Sequence, residues 1–280
     1  MRALVLSGGG VKGAFEAGVI LALAERGFTW NVMAGVSAGA LNAAFMAQFA
    51  PADQLYGASE LVKLWHSVAD KDIKKRWFPF GKLHALSKGG LFNTEPLHVL
   101  IKKHLDPKKL ATSGVELAIG AVSLNTGVYK YVGATTPDID KWVLASSAFP
   151  VAFPPVEIDG ELWVDGGIRD CTPITDVLTY NPQEIDVVVA GPLGANLSLT
   201  DTGRNPLNIA LRCASIMSDE VFNTDLAKVN QNLLFLHQPP LDAKLPDDVL
   251  TFDPEVIKSL IDLGYKVGRN WMASLNNASV

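Results

Sequence analysis

Twice within its first fifty residues the chain runs from a short apolar segment through a glycine-rich turn into a helical pattern. This repetition limits the fold more than any other feature. The first unit is Ala3-Leu-Val-Leu6, then Ser7-Gly-Gly-Gly-Val-Lys-Gly13, then a helix from about Ala14 to Glu25. The second is Val32-Met33-Ala34, then Gly35-Val-Ser-Ala-Gly39, then a small-residue helical pattern from Ala38 to Met46. Neighbouring strands that each lead into a helix run parallel, so both glycine turns fall at one edge of a sheet. In open α/β folds that edge is where ligands bind.

The chemistry at this edge is suggested by residue type. Gly35-Val-Ser-Ala-Gly39 fits Gly-x-Ser-x-Gly, in which a strained serine is displayed between strand and helix while the flanking glycines allow both to pack closely. Ser37 is thereby a candidate nucleophile at a helix N-terminus, where unpaired N–H groups favour developing negative charge. A glycine-flanked turn with Ser37 as an ordinary N-cap is the competing reading. Gly8, Gly10 and Gly13 satisfy Gly-x-Gly-x-x-Gly, but the region about twenty residues on, Thr29 to Met33, lacks the acid that would hold a ribose. A phosphate loop fails too, because Ala14 and Phe15 follow Gly13 in place of Lys and Ser/Thr. What remains is an oxyanion-binding turn or a turn chosen for packing. In the first case the N–H groups of Gly9, Gly10 and Ala38 would flank one oxygen, each donor being worth ~3 kcal/mol in the transition state.

The formal net charge of −5 and the absence of a basic stripe argue against nucleic acid as a partner. Two cysteines without metal-ligand spacing, Cys171 and Cys213, make a reduced setting the default. The first residues reach glycines before a signal-peptide core can form, and no apolar run approaches spanning length. A cytoplasmic protein with peripheral membrane contact allowed is the expectation.

Further along, helices are expected at about Ala52–Val68, Thr94–His104, Pro137–Ala148, Asn205–Gln231 and Pro254–Leu275. Strands are expected at Glu116–Ser123, Val128–Gly133, Leu162–Val164, Ile185–Gly191 and Leu233–His237. The close pair around Asn125-Thr-Gly127 must be antiparallel, so the α/β sheet is mixed. No repeat or low-complexity linker interrupts residues 1–280, which are therefore expected to form one domain. Asp165, at a strand end before Gly166 and Gly167, is well placed to accept a proton, although an Asp-Gly turn is the commoner meaning of such a pair. Asp170 reads as structural and Thr172, before Pro173, as an N-cap.

With these blocks in order, the chain resembles the patatin-like phospholipase family. Gly8-Gly-Gly-Val-Lys-Gly13 matches the family's oxyanion loop, Gly35-Val-Ser-Ala-Gly39 its elbow, Ala145-Ser-Ser-Ala-Phe-Pro150 its Ala-Ser-x-Ala-x-Pro block, and Asp165-Gly-Gly167 its Asp-Gly-Gly element. The resemblance spans about the first 170 residues. It implies a three-layer α/β/α sandwich with a mostly parallel sheet that cleaves fatty acyl esters of phospholipids or other lipids. It also implies Ser37 as nucleophile, Asp165 as the group taking its proton, Gly8, Gly9, Gly10 and Lys12 in the oxyanion loop, and no metal or cofactor.

Three alternatives stand beside it. A Ser-His-Asp hydrolase would have to use His237, the one histidine after Asp165. An acyltransferase would hand the acyl group to an acceptor other than water. A lipid-binding protein would keep the scaffold without turnover. Lys71-Asp-Ile-Lys-Lys-Arg-Trp-Phe-Pro-Phe-Gly-Lys82 is the densest basic and aromatic stretch. It is either a membrane-contact segment beside the site or a solvated charge run whose aromatics enter the core.

Overall fold

Central strands that are apolar at every position must be covered on both faces, and the first strand, Ala3 to Leu6, is fully buried. The structure, a computed structural model, describes residues 1–77, 87–191, 206–230, 233–246 and 248–278. Its strands are β1 (Arg2–Leu6), β2 (Val32–Gly35), β3 (Glu116–Ser123), β4 (Tyr129–Val132), β5 (Val156–Ile158), β6 (Glu161–Asp165), β7 (Glu184–Val188) and β8 (Leu234–His237). The main helices are α1 (Gly13–Ala24), α2 (Ala38–Met46), α3 (Gln54–Ser67), α4 (Glu95–His104), α5 (Ile139–Ser146), α6 (Ile174–Leu178), α7 (Pro206–Lys228) and α8 (Pro254–Ala278).

The sheet order is β5-β6-β3-β2-β1-β7-β8, with β4 paired to β3. The block β3-β2-β1-β7-β8 is parallel, whereas β4, β6 and β5 join antiparallel. Leu6 pairs with Gly35, so the turns after β1 and β2 do lie side by side. One face, carrying Leu4, Leu6, Met33, Leu117 and Ile119, packs on α1, α2, α3 and α8. The other, carrying Ala3, Val5, Val32, Ala34 and Ala118, packs on α6 and α7. The architecture is the expected three-layer α/β/α sandwich.

The last third of the chain covers α1, which is apolar nearly all round. α8 approaches it so closely that a β-carbon on Gly264 would lie 2.0 Å from Phe15 O, and one on Gly18 would lie 2.1 Å from Ile261 O. Two local expectations change. The proline-rich loop is followed by a strand, β5, that pairs with β6. Thr172 is not the N-cap: α6 starts at Ile174 with Pro173 at the cap position. A residue before proline is driven away from helical geometry, and the Thr172 amide instead donates to Asp170 Oδ1 at 3.1 Å. Phe78, Phe80 and Lys82 of the basic-aromatic stretch, and His84, lie outside the described residues.

Candidate active site

Ser37 joins β2 to α2 with φ 57° and ψ −124°, and its side chain makes no cap hydrogen bond. A left-handed φ is rare for a residue with a β-carbon, and holding it costs about 1–3 kcal/mol. The flanking glycines have no substitute, since a β-carbon on Gly35 would lie 2.2 Å from Gly39 O and one on Gly39 would lie 2.4 Å from Leu6 O. Backbone bonds fix the strained residue. Ser37 N donates to Ser146 Oγ at 3.0 Å, and Ser37 O accepts from Ser147 Oγ at 3.2 Å, Ala40 N at 3.0 Å and Leu41 N at 3.3 Å.

Asp165 ends β6 and is brought in by pairing with Ala121 of β3. It is 1% exposed. Oδ1 accepts from Gly167 N at 2.8 Å, while Oδ2 has no hydrogen-bond partner among the described residues. Burial pushes the carboxyl up to about 7, opposed by the Gly167 N–H and the Ser37 hydroxyl. An acid with that pKa, beside a serine hydroxyl and otherwise dry, is suited to exchange a proton near neutral pH.

The glycine-rich turn packs against Ser37 and Cys171. A β-carbon on Gly8 would lie 3.1 Å from Ser37 Cβ and 2.7 Å from Cys171 Sγ. The Gly8 amide donates to Cys171 O at 2.9 Å, Val11 N to Val249 O at 2.8 Å and Lys12 N to Gly9 O at 3.2 Å. Gly8 and Lys12 thus shape the turn with amides already committed. The amides of Gly9, Gly10 and Ala38 have no acceptor among the described residues, which narrows the expected donor set to these three. Gly10 needs its φ of 58° and its lack of a β-carbon, which would lie 2.2 Å from Val249 O. The last third of the chain, which carries no motif, therefore helps to hold the turn.

Sequence reasoning missed Glu16, the lone charged residue in the apolar run of α1 and fully buried beneath this turn. Asn42 Nδ2 donates to Glu16 Oε2 at 2.8 Å and to Gly13 O at 2.9 Å, and Asn42 Oδ1 accepts from Trp65 Nε1 at 2.8 Å. Ser7 Oγ lies 3.5 Å from Glu16 Oε1 and accepts from Ala190 N at 2.8 Å. Burial pushes the Glu16 carboxyl well above its usual range, with Asn42 and Ser7 opposing, which favours its protonated form. In the unfolded chain it ionises near pH 4.5, so its contribution to stability is full below that value and is lost as pH rises towards the folded pKa. Glu16→Gln, which keeps shape and hydrogen bonding, is expected to match the parent at pH 4 and to equal or exceed its melting temperature at pH 8. Glu16→Ala should lose about 2 kcal/mol or more at both. Thermal melts at the two pH values read this out; a Gln variant much less stable at pH 8 would mean that the carboxyl is ionised in the fold.

His237 lies elsewhere. Fully buried, it bonds Asp186 Oδ1 through Nε2 at 3.0 Å and meets the Trp271 ring edge-on at 4.7 Å. Asp186 also accepts from Arg2 Nε at 2.5 Å and Trp30 Nε1 at 2.6 Å. Burial pushes its carboxyl up, but Arg2 and His237 bring it below the usual range. The histidine that a triad would require is thus spent on a core ion-pair network. The described part of the basic-aromatic stretch is also largely tied down: Lys74 bonds Leu250 O and lies 3.3 Å from Asp70, Lys75 pairs with Glu95, and Trp77 Nε1 donates to Gly90 O at 2.9 Å.

Comparison with known proteins bears on the family and the fold. Lysophospholipase nte1 of Aspergillus terreus is 25% identical over 300 residues, covering 98% of this chain and 18% of that protein. An uncharacterized NTE family protein of Mycobacterium bovis is 28% identical over 182 residues, covering 64% of this chain and 46% of its own length. The chain therefore spans less than half the length of these relatives. The crystal structure of VipD from Legionella pneumophila matches over 98% of this chain and 67% of its own, with a TM-score of 0.51 and 17% identity, which is a likeness of fold. Residues 4–178 match the patatin-like phospholipase family, and the chain belongs to it.

Proposed function

We propose that the protein is a serine lipid acyl hydrolase of the phospholipase A type, working through Ser37 and Asp165. The observation that carries this reading is a buried, otherwise unpartnered carboxyl oxygen of Asp165 beside a strained serine whose hydroxyl caps nothing. Ser37 Oγ attacks the ester carbonyl carbon while its proton passes to Asp165. The carbonyl oxygen, now negative, lies against the amides of Gly9, Gly10 and Ala38. Collapse of the tetrahedral intermediate expels the alcohol, which takes the proton from Asp165. Water, deprotonated by Asp165, then releases the fatty acid and restores the serine. Every step uses groups of the chain itself.

Substrate class follows from family membership and from the relatives named lysophospholipases, which make a monoacyl phospholipid the first substrate to assay. Residues 1–280 would act as one domain, a reading supported by β8 joining the same sheet and α8 covering α1. A lipid substrate implies contact with a lipid surface; no helix among the described residues is long and apolar enough to cross a bilayer. A docking edge is suggested where exposed Arg76, next to the Lys75–Glu95 pair, adjoins the segment carrying Leu91, which bonds Val151; these two apolar side chains are 40% and 52% exposed. The backbone links these segments through Lys75–Asn93 and Gly90–Val151 bridges.

The test is a panel of lysophospholipids, diacyl phospholipids, neutral glycerides and a soluble short-chain ester, with released fatty acid identified by mass spectrometry. Runs with added alcohol or thiol separate hydrolysis from acyl transfer. The expected result is release of free fatty acid from lipid esters, faster on anionic vesicles and weakened by salt as the Debye length falls below ~8 Å. Acyl product appearing only with an acceptor, or no turnover of any lipid, overturns the reading.

A further inference from the structure

Three consecutive residues at the end of α5 touch both halves of the proposed dyad. Ser146 Oγ accepts the Ser37 N–H at 3.0 Å, Ser147 Oγ donates to Ser37 O at 3.2 Å, and Ala148 O accepts the Asp165 N–H at 3.1 Å. The elbow and β6 are far apart in sequence and come from different parts of the sheet. We propose that Ser146-Ser147-Ala148 is a brace that sets the separation of Ser37 from Asp165, with Ser146 as the principal positioning residue. The proposal rests on the Ser37–Asp165 reading and adds what keeps that pair in register.

The two serines are not equivalent. Ser37 O has two helix amides, Ala40 N and Leu41 N, besides Ser147, and the single Ser147 hydroxyl proton is shared with Val143 O at 3.1 Å. Removing Ser147 leaves Ser37 O satisfied. Ser37 N, in contrast, has Ser146 Oγ as its acceptor among the described residues. Ser146 is wholly buried, so no water stands ready to replace it. Without that acceptor the left-handed conformation loses the bond that favours it, and the Ser37 hydroxyl is free to swing from Asp165. A displacement of about 1 Å at a reacting atom is enough to lower a rate by about 10²-fold. Binding of the lipid, which does not use this backbone bond, should be unaffected.

The experiment compares wild type, Ser146→Ala, Ser146→Cys and Ser147→Ala by steady-state hydrolysis of a soluble short-chain ester, fluorophosphonate labelling rate at Ser37, and thermal melting. Ser146→Ala is expected to lose about tenfold or more in kcat and in labelling rate, with KM within about twofold. Ser147→Ala should lose no more than about threefold, in line with its redundant bond. Ser146→Cys preserves volume with a weaker acceptor and should fall between wild type and Ser146→Ala, which keeps the test alive if the alanine variant does not fold. Ser146 variants that fold and keep wild-type kcat and labelling overturn the brace while leaving Ser37 as nucleophile. A KM effect with unchanged kcat overturns it as well. A wild type that is not labelled at Ser37 removes the dyad itself, and the brace with it.

Discussion

Ser37→Ala is expected to abolish ester hydrolysis and fluorophosphonate labelling together, with the fold unchanged. Among the described residues no other serine or threonine has a left-handed φ, so loss of the nucleophile should lower kcat on the order of 10⁴–10⁶-fold. Stability should move by roughly 0.5 kcal/mol or less, because the Ser37 hydroxyl caps no helix and the backbone clamp uses its N–H and carbonyl. Labelling persisting in the alanine variant, at any residue and with retained hydrolysis, would sink the assignment.

Asp165→Asn carries the second large effect. The amide keeps the shape and the acceptor for Gly167 N, but it takes no proton, so activity should fall about 10²–10⁴-fold. The wild-type kcat/KM should rise with pH to a plateau, half-maximal near the carboxyl's folded pKa of about 7, and the Asn variant's residual rate should lose that step. Stability should change in the opposite sense. Unfolded, Asp165 ionises near pH 3.8; folded, near about 7, so the stability it contributes is full below pH 3.8 and is lost as pH rises through about 7. Asp165→Asn should therefore match wild-type stability at pH 4 and exceed it at pH 8, by on the order of a few kcal/mol, as thermal or denaturant unfolding at the two pH values would read. His237→Gln is the control: it removes a buried partner of Asp186 and lowers stability, yet should leave kcat within a few-fold once folded. A folded His237 variant as inactive as Ser37→Ala would return the base to histidine.

A proposed proton acceptor whose buried carboxyl destabilises the fold once ionised, together with a serine held at φ 57°, means that both proposed reacting groups are paid for by the packing around them. The Glu16 carboxyl beneath the glycine turn, pushed up by burial, belongs to the same surroundings, its partners being the Asn42 amide and the Ser7 hydroxyl.

The chain's local chemistry determined the strand-turn-helix units, the parallel heart of the sheet, and the two glycine turns at one edge. The units and their turns rest on neighbours in sequence: apolar runs of strand length, and glycines such as Gly35, where a β-carbon would lie 2.2 Å from Gly39 O. Sequence also set Ser37 apart, because its pentapeptide contains its own reason for strain. It did not decide Asp165, which alone reads as an Asp-Gly turn and becomes significant when β6 pairs with β3 and carries the carboxyl to Ser37. Nor did it decide the committed amide of Gly8, the Val249 carbonyl at Val11, the Ser146 and Ser147 clamp, or the loss of His237 to Asp186. These are contacts between segments distant in the chain. A hydrogen bond's partner depends on where the whole sheet places it, whereas a turn's backbone angle depends on the few residues that form it.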